Sequence, residues 1–115
     1  MKNRSMHGMR SWVRITVGAL ALLSVAATAA ESPNSVVVEI RDFAFVPATL
    51  AVHPGTTVTW KNFDDEPHSV VSDAGTFRSG ALDTNESFSY TFSKAGTFRF
   101  VCSLHSHMTG VVRVE

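Results

Sequence analysis

The sequence predicts an all-β domain, an antiparallel sandwich or barrel of about seven or eight strands. Beyond residue 30, β-branched and aromatic residues recur in short runs, several of which alternate apolar with polar side chains. Turn-forming residues separate these runs at NFDDEP, SDAG, LDTNE and SKAG. No stretch after residue 30 has the apolar periodicity of a helix of useful length. Strands and turns therefore account for this part of the chain.

Residues 1–30 have the three parts of a secretory signal peptide. The basic head contains Lys2, Arg4, Arg10 and Arg14. Residues 15–27 are apolar and uncharged, and the small residues that follow suit cleavage after Ala29 or Ala30. A spanning helix needs about 20 apolar residues, more than this run offers, although an uncleaved anchor is the alternative. We expect residues 31–115 to be one exported domain, periplasmic and without stable membrane insertion.

The composition of the exported part excludes a nucleic-acid-binding protein and a domain stabilised by an internal disulfide. Four of the ten Lys and Arg residues lie in the signal, which leaves six against ten acidic residues, a net charge of −4. A mildly acidic domain lacks the basic surface that phosphate contacts require, so a nucleic-acid partner is excluded. Small exported domains are commonly stabilised by disulfides. The single cysteine, Cys102, cannot form one within the chain.

The predicted strands follow one another with short connections. In order, they are SVVVEI (35–40) with Phe43 and Phe45 continuing its alternation, TLAV (49–52), TTVTW (56–60), HSVVS (68–72), SFSYTF (87–92), TFRFVC (97–102) and GVVRVE (110–115). Pro54-Gly55 suits the central positions of a type II turn between the second and third of these runs.

The alternation in TFRFVC predicts where the cysteine lies. Phe98, Phe100 and Cys102 share one face of the strand, and Arg99 and Val101 share the other. Because Arg99 should face solvent, the Phe-Phe-Cys face points inward. Cys102 therefore ends a strand with its sulfur toward the interior, at one end of the sandwich.

The loop that follows the cysteine, SLHSHMTG, carries metal-ligand chemistry. A thiolate, imidazoles and a thioether suit copper. Positions i and i+3 come close in a turn, so Cys102 and His105 can reach one ion, and Met108 can close a third side. A His₂Cys copper site with a weak axial Met needs a second histidine. His68, at the start of a strand after a proline, fits better than His53, which sits in a turn where a solvated histidine is the ordinary interpretation.

With these residues in place, the sequence resembles the blue copper proteins, or cupredoxins. EPHSVV, AGTFRFVCSLHSHM and a final Val-rich strand match the family order of one His after Pro, then Cys, His and Met on a loop before the last strand. The spacing C-x2-H-x2-M is the short-loop form of amicyanins. The resemblance covers about residues 35 to 115 and implies a Greek-key β-sandwich.

The resemblance implies one copper ion per chain that cycles between Cu(I) and Cu(II). His68, Cys102 and His105 would be the close ligands and Met108 the distant axial ligand. It also implies an electron carrier whose partner is a periplasmic dehydrogenase or a c-type cytochrome that docks near His105. Leu104 and Met108 would belong to that docking patch. We expect the chain to be a monomer and not an enzyme.

The family pattern also suggests which neighbours tune the site. By resemblance, Ser69 and Ser103 sit where the family places hydrogen bonds around the ligands. Apart from the resemblance, burial of the thiolate under Phe98 and Phe100 would exclude water and help set the potential.

The loop departs from the amicyanin pattern at three positions. Leu104 and Ser106 replace prolines, which predicts a less rigid loop, and His107 could compete as a ligand. These departures favour an alternative function in copper storage, delivery or resistance. A copper enzyme would need further metal centres with their own histidines, more than this chain supplies. DDE at 64–66 is interpreted as a solvated turn that could place negative charge near the docking face.

Overall fold

The computed structural model describes residues 13–26 and 34–115, so the predicted basic head and cleavage site lie largely outside the described residues. Eight β-strands form between residues 35 and 114. They are β1 (Ser35–Arg41), β2 (Ala44–Val46), β3 (Thr49–Val52), β4 (Thr56–Asn62), β5 (Val71–Ser72), β6 (Ser87–Phe92), β7 (Gly96–Val101) and β8 (Thr109–Val114). The predicted all-β class is confirmed.

The strands form two four-stranded sheets, in the orders β2-β1-β4-β6 and β3-β8-β7-β5. Among them, β1 pairs with β4 and β3 pairs with β8 in parallel, and the remaining pairs are antiparallel. The sheets are therefore mixed, where the sequence predicted antiparallel pairing. The reason is that the chain crosses between the sheets after β2, β3, β4, β5 and β6, and a strand that returns to its first sheet can run in either direction.

The inward-facing residues of both sheets make one core around Trp60. Its indole stacks on Phe77, with centroids 5.6 Å apart, and meets the edge of Phe100 at 5.3 Å. Trp60 and Phe100 are fully buried. Burial of such aromatic side chains contributes most of the hydrophobic stabilisation of a small domain.

Several predicted boundaries shift by a few residues. HSVVS forms regular strand only at β5, although His68 makes an isolated bridge with Leu82. Cys102 lies one residue past the end of β7 and is fully buried, as its alternation predicted. Gly55 has φ of 91°, and the N–H of Thr56 donates to the carbonyl of His53, as the predicted type II turn requires.

Phe43 differs most from its predicted place. Instead of continuing a strand, it forms with Asp42 a two-residue loop between β1 and β2, because Arg41 pairs with Ala44. Both loop residues have positive φ, 50° for Asp42 and 58° for Phe43. Two central residues with positive φ are the mark of a type I′ hairpin turn, which usually contains Asn or Gly. The sequence lacks that signal here.

Residues 13–26 belong to a separate unit of the chain and have no regular secondary structure. Their large apolar side chains, from Val13 to Val25, are exposed. Over the described residues, the length and apolarity required of a membrane-crossing helix are not found.

Candidate metal centre

Three potential ligand atoms meet at one end of the sandwich, after β7. The Nδ1 atoms of His68 and His105 lie 3.2 Å apart, and the Sγ atom of Cys102 lies 3.9 Å and 3.7 Å from them. His68 and Cys102 are fully buried, and His105 is half-buried. The structure therefore brings together three of the four residues that the sequence singled out for metal binding, each with a donor atom facing the other two.

The spacing of these donors fits a single transition-metal ion. Protein imidazole nitrogens bind such an ion at about 2.0–2.1 Å and thiolates at about 2.3 Å, so three donors in a plane around it lie roughly 3.5–3.8 Å apart. The three observed separations lie close to that range. Two imidazoles with one thiolate form the donor set of blue copper sites, whereas structural zinc is usually held by four Cys or His ligands.

The loop from Cys102 to Met108 is closed by its own backbone. The N–H of Cys102 donates to the carbonyl of Met108, and the N–H of Met108 donates to the carbonyl of His105, both at 3.0 Å. The second bond closes a tight turn over residues 105–108, and the first joins the two ends of the loop. Met108 is 2% exposed and belongs to the hydrophobic core, so it is not part of an exposed patch, contrary to the prediction from the sequence.

His68 is held in place by the chain on either side of it. Its N–H and carbonyl both bond with Leu82, at 3.1 Å and 2.7 Å. The buried side chain of Asn62 donates to the carbonyls of Leu82 and Glu66 and accepts from the N–H of Asp64. Asn62 thus fixes the 62–66 turn that leads to His68.

Asp64 bonds directly to the imidazole of His68, with Nε2 and Oδ2 2.8 Å apart. A carboxylate acceptor fixes the proton of neutral imidazole on Nε2, so the lone pair of Nδ1 is free to face the cluster. The N–H groups of Asp42 and Phe43 donate to the same carboxylate, at 2.7 Å and 2.9 Å. Burial alone would raise the pKa of Asp64, but the hydrogen bonds from Phe43, Asp42 and His68 lower it below its ordinary value.

The sulfur of Cys102 accepts a hydrogen bond from the backbone N–H of Ser69 at 3.3 Å. The Ser69 hydroxyl lies 3.9 Å from the same sulfur and accepts from the N–H of Ser103 at 2.8 Å. Ser69 therefore touches the sulfur, whereas Ser103 touches Ser69 and ties the loop to the strand region before β5. Hydrogen bonds to a ligand sulfur stabilise its negative charge and help set the potential of a bound copper.

Exposed apolar side chains flank His105. Leu104 is 53% exposed and Phe43 is 40% exposed. The ring of Phe43 lies 5.1 Å from the rings of both His68 and His105, nearly perpendicular to each. The expected patch around His105 thus contains Phe43 as well as Leu104.

The two other histidines of residues 34–115 lie outside the three-donor cluster. Nδ1 of His53 bonds the carbonyl of Glu115, at the far end of β8 from the cluster. His107 is exposed, and its ring centroid lies 6.5 Å from that of His105.

The two phenylalanines expected to cover the thiolate differ in burial. Phe100 is fully buried, whereas Phe98 is only partly buried and packs on Phe92.

Sequence reasoning missed two residues of this end of the sandwich, Phe43 and Asp64. Phe43 was interpreted as part of a strand and Asp64 as part of a solvated turn, but the Asp64 side chain is only 13% exposed. One signal was available for Asp64, since an acidic residue four positions before a candidate ligand can reach its outer nitrogen when the intervening chain turns. For Phe43, the two-residue loop without Asn or Gly offered none.

Comparisons with known proteins agree with this geometry. The family model described as "Cupredoxin-like domain" matches residues 14–114. Amicyanin of Paracoccus denitrificans is 35% identical over 94 residues, 77% of this chain and 72% of that protein. Chloroplastic plastocyanin of Pisum sativum is 31% identical over 117 residues, 84% of this chain and 70% of that protein.

Solved structures show the same fold. The Cu(I) form of an amicyanin variant superposes with a TM-score of 0.68 at 32% identity, over 75% of this chain and 87% of that one. A copper-containing nitrite reductase of Thermus scotoductus gives a TM-score of 0.67 at 31% identity, over 79% of this chain but only 25% of that enzyme. The likeness to the enzyme is therefore confined to one part of it.

Proposed function

This chain belongs to the cupredoxin-like family, and from that membership we propose that it is a one-electron carrier that holds a single copper ion in the periplasm. The observation that carries the proposal is the meeting of three donor atoms, from His68, Cys102 and His105, within 4.8 Å of one another. Met108, buried and on the same loop as Cys102 and His105, is the proposed axial ligand.

The proposed ligands suit reversible electron transfer. Copper supplies, when bound, a centre that gains and loses one electron between Cu(II) and Cu(I). The chain holds the donors in place through the Asp64–His68 bond, the Ser69–Cys102 bond and the closed loop. Donors fixed in this way move little when the charge of the site changes, which keeps the barrier to electron transfer low.

The electron would enter and leave through the half-buried edge of His105. Exposed Leu104 and Phe43 give a partner an apolar surface to exclude water from there. Acidic residues of the same end, among them Asp65 and Glu66, are exposed. Charge complementarity therefore favours a redox partner with a basic rim, a dehydrogenase or a c-type cytochrome, and residues 1–30 would direct export to meet it.

The alternative, copper storage or delivery, rests on exposed His107 beside His105. Transfer of metal works best with exposed, exchangeable ligands, whereas Cys102 and His68 are fully buried. The geometry therefore favours the carrier.

A visible spectrum of the protein loaded with Cu(II) tests the proposal. The carrier predicts one equivalent of copper, an intense blue thiolate-to-copper band, and reversible bleaching by one electron. Retention of the copper against a chelator separates a carrier from a store. A colourless complex, or one that exchanges rapidly, would contradict the carrier, and Cys102→Ala is the control in which no band should form.

A further inference from the structure

The Asp42–Phe43 loop is held in a conformation that its residues disfavour. Both have positive φ, and for the bulky Phe43 this region is strained. Such strain persists only where surrounding contacts offset it. The carboxylate of Asp64 accepts from both loop N–H groups, with one oxygen for each.

The same carboxylate bonds His68, so one side chain joins the strained loop to a proposed ligand. Oδ2 of Asp64 accepts from both Phe43 N and His68 Nε2. The arrangement delivers the Phe43 ring to equal distances from the rings of His68 and His105. It therefore lies against both imidazoles while 40% of its surface faces solvent.

We propose that Asp64 is a positioning residue that orients His68 and at the same time holds Phe43 as an aromatic cover over the two imidazoles. The cover limits the access of water to the copper ligands, and the carboxylate keeps Nδ1 of His68 facing the ion. The inference rests on the proposed copper site and deepens it.

The first test substitutes the carboxylate. Asp64→Asn leaves one acceptor oxygen and adds an amide donor, so it cannot accept from three N–H groups at once. Asp65→Asn is the matched control, because Asp65 is exposed, adjacent and of the same charge. Loss of a partner that orients a metal-bound histidine costs roughly 10- to 100-fold in metal affinity. We expect that loss for Asp64→Asn, with a higher reduction potential because His68 becomes a weaker donor, and neither change for Asp65→Asn.

The second test removes the ring without removing the loop. Phe43→Gly and Asp42→Gly both keep the N–H donors and both relieve a positive φ. Only Phe43→Gly uncovers the imidazoles, so copper release to a chelator should accelerate roughly 2- to 10-fold relative to Asp42→Gly, the range for loss of one aromatic pair.

A measurement on the copper-free protein separates this inference from the function itself. The amide protons of Asp42 and Phe43 should exchange slowly with water in the wild type and rapidly in Asp64→Asn. Suppose that the wild type binds copper with a blue band, but Asp64→Asn behaves like Asp65→Asn and Phe43→Gly behaves like Asp42→Gly. The positioning role of Asp64 and the aromatic cover are then wrong, and the proposed electron carrier stands. If no blue site forms while the amides are protected, the carrier is wrong and the link between Asp64 and the loop stands.

Discussion

The backbone N–H of Ser69 donates to the sulfur of Cys102, 3.3 Å away. The hydroxyl of Ser69 accepts from the N–H of Ser103, the residue that follows Cys102 in the loop. One residue thus touches both the thiolate and the chain that carries it. The hydroxyl of Ser69 also meets that of Ser103 at 2.7 Å. This pair anchors the ligand loop to the strand region that begins at His68.

Ser69→Ala should loosen the loop without removing a ligand. The N–H of Ser103 loses its acceptor, and a lost hydrogen bond of this kind costs about 1 kcal/mol. Urea unfolding of the copper-free protein measures this loss. In the protein loaded with Cu(II), the blue band should shift because the hydroxyl near the sulfur is gone. Ser106→Ala, in the exposed part of the loop, is the control and should change neither. Equal effects in the two variants would contradict the anchoring role.

Cys102→Ser should abolish the blue colour and leave a folded sandwich. A hydroxyl in place of the buried thiol costs about 1–3 kcal/mol, which is less than the 5–15 kcal/mol stability of an ordinary domain. Circular dichroism should therefore show the same β content. A surviving blue band would contradict the ligand assignment.

Met108→Gln should keep the copper but lower its reduction potential. Met108 is buried under the loop, and an amide oxygen is a harder donor than a thioether, which favours Cu(II). Protein-film voltammetry measures the shift, and His107→Ala, which changes an exposed residue, should leave the potential in place. An unchanged potential in Met108→Gln together with a shift in His107→Ala would make His107 the loop ligand instead.

The sequence was sufficient to predict this fold because its signals were local. TLAV and SFSYTF coincide with β3 and β6, and alternation in TFRFVC placed Cys102 in the interior. The parallel pairing of β1 with β4 was not predictable in the same way, because it depends on where a distant strand lies.

The site was predictable only in part for the same reason. His105 and Cys102 are three residues apart, so one turn joins them. The donor set required a second histidine, and the position of His68 after a proline at the start of a strand favoured it over His53. The contact of Phe43 with both imidazoles depends on a loop of unusual conformation and on a carboxylate 21 residues away from it. Neither leaves a local pattern of apolar or turn residues.

Gly110→Ala should destabilise the end of the sandwich that carries the ligand loop. A Cβ at Gly110 would overlap Cζ of Phe100 and lie 2.8 Å from the carbonyl oxygen of Ala48. Phe100 cannot move aside easily, because it is fully buried against Trp60 and Phe45.

Overpacking of this kind costs about 1–3 kcal/mol, and urea unfolding of the copper-free protein measures it. Gly80→Ala is the matched control, because nothing lies within 4 Å of a Cβ there. Phe100→Leu in the Gly110→Ala background should restore part of the loss by making room for the methyl group. If Gly110→Ala were as stable as Gly80→Ala, this result would contradict the close packing of Gly110 in β8 against Phe100 in β7.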